Sequence, residues 1–275
     1  MKTEYISSRQ NPLIVWASSL KEKKYREEHS AYLVHGFKLF EEAVKEGASI
    51  SYIFLHEEKT DRYSSAVEDL LSSYQGEAPK VVVLSASCFE KVSEEKGAQG
   101  IITALKILDK TENIIKIYKV EEFVQKTDSV VFLSSVRDPA NLGAILRSAS
   151  AFGFSTVILT PDCADPYNPK TARAAMGALF RMRILTASDP VSCVRELRES
   201  GRRVYAAELR DGAIPLGDVK LTRDDVLMIG NEGHGVAEEL SLAATGSIYI
   251  PISANTESLN ASVAASILLW EQSKP

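Results

Sequence analysis

The chain has 275 residues, 45% hydrophobic and 25% charged, ordinary proportions for a folded globular protein with one large core or two smaller ones. No apolar run approaches the roughly 18 residues that span a bilayer, and the opening Met1-Lys2-Thr3-Glu4-Tyr5 lacks the apolar stretch of a signal peptide, so a cytoplasmic location with no membrane partner is expected. A net charge of −5 argues against a uniformly basic nucleic-acid surface, and Cys88, Cys163 and Cys193 are too scattered for a disulfide framework or a metal centre.

The first hundred residues alternate helical and strand patterns. A helix is predicted from about Asn11 to Glu28, then strand Ala31 to Val34, helix Phe37 to Glu46, strand Tyr52 to Leu55 and helix Tyr63 to Tyr74. Strand Lys80 to Leu84, a short helix Ala86 to Val92 and strand Ile101 to Ile107 follow. Such alternation implies a mixed or parallel sheet with helices on its faces. Arg9, Lys21, Lys23, Lys24 and Arg26 form a basic group diluted by Glu22, Glu27 and Glu28, which a solvated helix face explains as readily as RNA binding does. The pattern weakens between Leu108 and Ser129, with Asp109 to Asn113 a break. Residues 108–128 are therefore expected to link a first domain, 1–107, to a second, 129–275.

The second domain opens with Val130-Val131-Phe132-Leu133, an apolar run suited to a strand buried on both faces. In the helix after it, Leu142, Ile145, Leu146, Ala149 and Phe152 share one face, while Ala144, Arg147, Ser148 and Ala151 make an opposite face of small residues around one arginine. Strand Phe154 to Leu159, helix Thr171 to Leu179, strand Arg183 to Thr186 and helix Val191 to Glu199 come next. Strands Val204 to Leu209 and Val226 to Ile229, helix Val236 to Ala243 and strand Ile248 to Ile252 lead to a last helix, Ser258 to Glu271, with Leu259, Val263, Ile267 and Trp270 as its core stripe. Arg137, Arg147, Lys170, Arg173, Arg181 and Arg183 outnumber the acidic residues among them.

Three polar segments carry the chemistry. They are Asp138-Pro139-Ala140-Asn141-Leu142-Gly143 leading to Arg147, Gly230-Asn231-Glu232-Gly233-His234-Gly235, and Glu257-Ser258-Leu259-Asn260-Ala261. Each adjoins a strand-like run, so all three can gather at one edge of a sheet, where open α/β folds bind ligands. The glycine segment has neither a GxGxxG pattern nor a Walker lysine, and Glu232 would repel a phosphate held on its amides. Asn141, Ser258 and Asn260 suit helix caps equally well. Arg147, set among small residues instead of charged ones, suits a phosphate or ribose clamp better than a surface ion pair.

Together these segments resemble the three motifs of the SpoU, or TrmH, family of RNA ribose 2′-O-methyltransferases in the SPOUT superfamily. Ser30-Ala31-Tyr32-Leu33-Val34-His35-Gly36 and the helix after it resemble the family's N-terminal substrate-binding domain of L30e-like fold. Pro169 to Phe180, with Arg173 and Met176-Gly177-Ala178, is similar to another recurrent family segment, with Ala175 where serine is common. The resemblance implies a two-domain α/β protein: an L30e-like domain, then a SPOUT domain with a deep trefoil knot that binds S-adenosylmethionine. Carried over, it names Arg147, Asn141, Glu232, Ser258 and Asn260 as catalytic and Leu209, Gly230, Ile250 and Leu259 as cofactor-binding, with no metal. It implies a homodimer acting on RNA, and the extra N-terminal domain points to ribosomal RNA. Transfer RNA is the alternative substrate and a non-catalytic RNA-binding protein the alternative class. A dinucleotide-dependent enzyme is disfavoured by the missing fingerprint.

Overall fold

The computed structural model describes residues 3–93, 99–107, 114–115, 124–231, 233 and 235–275. By their contacts they fall into two compact units, Met1–Asp109 with Tyr167–Phe180, and Lys110–Pro166 with Arg181–Pro275. Most of the expected linker, 108–128, lies outside the described residues.

The first unit contains β1 (Glu4–Ile6), α1 (Pro12–Ser19), α2 (Lys23–His29), β2 (Ala31–His35), α3 (Phe37–Lys45), β3 (Ile50–His56), α4 (Thr60–Ser72), β4 (Lys80–Leu84), α5 (Ala86–Val92) and β5 (Ile101–Lys106). Its sheet runs β1-β4-β3-β5-β2. The β1, β4 and β3 strands are parallel, while β5 runs antiparallel to both β3 and β2, so the sheet is mixed. Apolar residues fill both faces, with Ile53, Leu55 and Phe40 on one side and Phe54, Leu33 and Ile14 on the other.

The single helix expected over 11–28 is two helices, and Arg26 is the reason. Its guanidinium is buried and donates to the carbonyls of Leu20 at 2.7 Å and Lys21 at 2.6 Å, where α1 has ended. Carbonyls at a helix end need such donors, and guanidinium supplies several from one side chain. Lys21 in turn donates to the Ser93 carbonyl at 3.1 Å. Two of the five cations in the N-terminal basic group thus hold the fold together.

The second unit contains β6 (Ile114–Ile115), β7 (Val130–Leu133), α6 (Pro139–Ala151) and β8 (Thr156–Leu159) before the chain forms α7 (Pro169–Ala175) and α8 (Ala178–Arg181). It resumes with β9 (Arg183–Ala187), α9 (Pro190–Glu199), β10 (Val204–Ala207), β11 (Ile214–Pro215), β12 (Val226–Ile229), α10 (Glu238–Ala243), β13 (Gly246–Tyr249) and α11 (Ala261–Ser273). The sheet order is β11-β13-β10-β12-β7-β8-β9-β6, with every described pairing parallel. Strands β7, β8 and β12 are buried along their whole length, as their unbroken apolar runs require. The chain winds outward from β7 through β8 to β9 and then returns to the other side of β7. Such a reversal opens a crevice at the carboxyl ends of the strands.

The final helix differs from its expected stripe. Val263 and Trp270 are 48% and 51% exposed, and the buried face is Ala261, Ala265, Leu268, Leu269 and Gln272. Small residues let α11 lie close to α6, where the Ser148 and Ser266 hydroxyls meet at 2.8 Å. Gln272 is buried because its Nε2 satisfies the carbonyls of Thr222 at 2.9 Å and Asp225 at 2.7 Å.

Helices α7 and most of α8 pack with the first unit. The one helix expected from Thr171 to Leu179 breaks where Met176 (φ 46°) and Gly177 (φ 86°) take left-handed backbone. Ala172 enters the core beside Tyr32 and Phe40, and the Tyr167 ring centroid lies 4.8 Å from that of Tyr32.

Between these parts of the first unit sits His35, whose two ring nitrogens are buried with no hydrogen-bond partner among the described residues. Burial, aided by the charges of Arg173 and Lys21, lowers its pKa to about 4. Folded His35 is neutral, whereas the unfolded chain takes up a proton below about pH 6.5. Its contribution is therefore complete above that pH and is lost as pH falls towards 4, by up to about 3 kcal/mol. Urea unfolding of wild type and His35→Leu between pH 7 and 4.5 should show the variant losing less stability over this range. Parallel losses would show that His35 does not titrate in this way.

Candidate active site

A cavity of about 620 Å³ opens at the carboxyl edge of the second sheet. Leu209 after β10, Gly230 and Asn231 after β12, and Ile250 to Ile252 after β13 form three walls, and Ser258, Leu259 and Leu268 close the fourth. The structure thus brings together all four residues expected to bind a cofactor. Leu209 is 81% exposed, an apolar side chain left open beside the cavity.

Gly230 is required by space. A Cβ there would collide with the backbone of Gly235 and Val236, because the loop doubles back on itself. Asn231 and Gly235 exchange backbone hydrogen bonds of 3.0 and 2.8 Å across this turn. The Asn231 side chain donates to the Ser135 carbonyl at 3.1 Å and accepts from the Gly233 amide at 2.8 Å, tying the loop to the end of β7. Asn231 was visible in the motif as a residue, but its bracing role depends on a partner 96 positions away. Glu232, expected to be catalytic, and His234 lie outside the described residues.

Two polar segments meet directly. Asn260 Nδ2 donates to Asn141 Oδ1 at 3.0 Å, while Asn260 Oδ1 caps α11 by accepting from the amides of Ser262 at 3.0 Å and Val263 at 3.3 Å. At α6 the cap is Asp138, which accepts from the amides of Ala140 at 2.9 Å and Asn141 at 2.8 Å. This corrects the capping alternative for Asn141 and leaves its side chain available to Asn260. Asp162 braces the loop before α6. Burial alone would raise its pKa, but hydrogen bonds from Thr160 at 2.7 Å and Arg137 at 2.9 Å prevail and hold it at about 2.

Arg147 lies in α6 beyond Asn141, exposed and without a hydrogen bond or ion pair to another described residue. Neither Arg147 nor Asn141 lines the cavity, while Ser258 does. An apolar wall with backbone amides and carbonyls from three loops suits a flat heterocycle, and the hydroxyl, amide and carboxylate groups at its edge suit the polar remainder of a nucleoside. The residues present therefore fit S-adenosylmethionine.

Fold and site define an α/β protein with a cavity at the carboxyl edge of a parallel sheet, where such folds bind their ligands. Residues 128–270 match the SpoU rRNA Methylase family and residues 11–103 the MRM3-like substrate binding domain, and the chain belongs to the SpoU rRNA methylase family as a methyltransferase. It is 31% identical over 265 residues to the 23S rRNA (guanosine(2553)-2′-O)-methyltransferase RlmP of Bacillus subtilis, covering 96% of this chain and 97% of that protein. An AdoMet-bound rRNA methyltransferase from Sinorhizobium meliloti superposes with a TM-score of 0.81 at 26% identity, covering 98% of this chain and 97% of the other. A TrmH-family protein from Porphyromonas gingivalis gives 0.77 at 26% identity, over 96% of this chain and 97% of the other.

Proposed function

We propose that the protein transfers the methyl group of S-adenosylmethionine to a ribose 2′-hydroxyl of ribosomal RNA in the cytoplasm. The observation that carries this reading is the Asn260 to Asn141 bond, which joins the first and third polar segments beside a cavity walled by the second and third. Leu209, Gly230, Ile250 and Leu259 hold the cofactor, which supplies an electrophilic methyl carbon on a sulfonium. The paired RlmP relative supports the ribosomal substrate. The parallel sheet whose strand ends carry these residues suits the family's deep trefoil knot.

Methyl transfer needs the ribose oxygen placed in line with that carbon and its proton removed as the new bond forms. Arg147 holds the RNA phosphate and the developing alkoxide. A guanidinium group keeps its proton in proteins and is ill suited to be the base itself. Asn141, positioned by Asn260, orients the arginine helix, Ser258 shapes the methyl pocket, and Glu232 fixes Arg147 or its own loop. Recognition of a 2′-hydroxyl is what separates RNA from DNA at such a site. Residues 1–107 contribute RNA affinity and target choice, supported by the substrate-binding match over 11–103, and residues 129–275 contain the catalytic domain. A second copy of the chain covers the exposed Val263 and Trp270 of α11, completing a homodimer.

Calorimetric titration should show binding of S-adenosylhomocysteine and none of NAD; binding of NAD alone would sink the cofactor assignment. Mapping ribose methylation in cells with and without the gene should reveal one ribosomal position that depends on it. A loss confined to transfer RNA would reassign the substrate, and no loss in any RNA would remove the proposed reaction.

A further inference from the structure

Glu208 follows β10 and lines the cavity beside Leu209. Its backbone is fixed by an amide hydrogen bond of 2.9 Å to the Ile248 carbonyl. Its carboxylate is fixed too. Oε1 accepts from the hydroxyl of Ser241 in α10 and from that of Ser247 in β13, the latter at 2.7 Å. Both serines are buried, and the Glu208 side chain is only 15% exposed. Arg210 adds a 3.4 Å contact to the same oxygen and donates to Ser241 Oγ at 2.5 Å.

Every hydrogen bond to this carboxylate from the described residues falls on Oε1, so Oε2 keeps its acceptor capacity in a residue that lines the cavity. The neighbouring guanidinium balances the negative charge. A carboxylate so balanced is a poor anchor for a cation and a good acceptor for neutral O–H donors. The dinucleotide folds use an acidic side chain for ribose hydroxyls in a comparable place, beyond a strand end of a parallel sheet.

We propose that Glu208 is a specificity-determining residue that accepts hydrogen bonds from the ribose hydroxyls of the cofactor. This rests on the cavity being the S-adenosylmethionine site. Ser241, Ser247 and Arg210 act through Glu208 as positioning residues, holding one oxygen so that the other is presented to the diol. Glu208→Gln preserves an acceptor for the serines but replaces the second oxygen with an N–H₂ donor.

The test is calorimetry on the full chain, wild type and Glu208→Gln, with S-adenosylhomocysteine and its 2′-deoxy and 3′-deoxy analogues. Wild type should bind the parent about tenfold more tightly than at least one analogue, as expected for a hydrogen bond to a charged group. Glu208→Gln should bind the parent about tenfold more weakly and lose little or nothing further with that analogue, the non-additivity that marks a direct contact. Thermal unfolding of the free proteins should nearly coincide. Equal weakening for all three ligands, or a large drop in unfolding temperature with unchanged discrimination, would make Glu208 a brace for the serines and overturn the assignment. Failure of wild type to bind S-adenosylhomocysteine would instead overturn the cofactor reading beneath it.

Discussion

Replacing Arg147 with alanine is expected to slow methyl transfer at least a thousandfold, about 4 kcal/mol of lost transition-state stabilisation, while S-adenosylhomocysteine affinity changes by less than about twofold. The separation follows from position. Arg147 is exposed on α6 and absent from the cavity lining, whereas the expected cofactor contacts come from Leu209, Gly230, Ile250 and Leu259. Stability should change by no more than about 0.5 kcal/mol, since the side chain makes no bond to a described residue. Arg147→Lys should fail almost as completely, because an ammonium cannot hold phosphate in the two-pronged geometry of guanidinium. Single-turnover methylation with saturating RNA and cofactor, alongside calorimetry, separates these effects. Activity retained in both variants would make Arg147 an ordinary surface residue.

Gly230→Ala is expected to remove cofactor binding almost entirely, by about a hundredfold or more. The added methyl cannot fit against the Gly235 and Val236 backbone, so either β12 or the returning loop must move. Overpacking of this kind costs about 1–3 kcal/mol, and here the displaced backbone is the cavity wall. Gly233→Ala provides the contrast. A Cβ there meets only Asn231 Oδ1, at 3.4 Å, and should leave affinity within a few fold. Calorimetry and thermal unfolding of both variants decide the point, and a Gly230→Ala protein that binds normally would mean the loop is looser than its hydrogen bonds imply.

The legibility of this chain depended on how local the determining contacts are. Strands β7 and β12 and the buried stripe of α6 could be read directly, because continuous apolar runs and helical spacing report burial without reference to distant residues. The α1–α2 break could not, since Arg26 looks like any other cation in a charged stretch until its carbonyl partners are known. On α11 the large apolar residues suggested the wrong face; alanines at 261 and 265 face inward because close approach, not side-chain bulk, determines that contact. The site divided in the same way. Its three polar segments stood out one by one, but the Asn260 to Asn141 contact links residues 119 apart, and Glu208 carried no motif around it. Their partners are supplied by topology.

The placement of residues 167–180 also constrains how the protein is made. Synthesis proceeds from the amino terminus, so β7, α6 and β8 of the second unit emerge from the ribosome before the segment that completes the first. Until Phe180 is available, the core around Tyr32 and Phe40 lacks Ala172 and the rings of Tyr167 and Phe180. A nascent chain of about 110 residues therefore carries an unfinished apolar surface, the kind of transient exposure that invites misassembly or chaperone capture. The packing of the earlier unit is complete only once a piece encoded within the later one has been made, so the order of the gene places its last contacts after the synthesis of β7, α6 and β8.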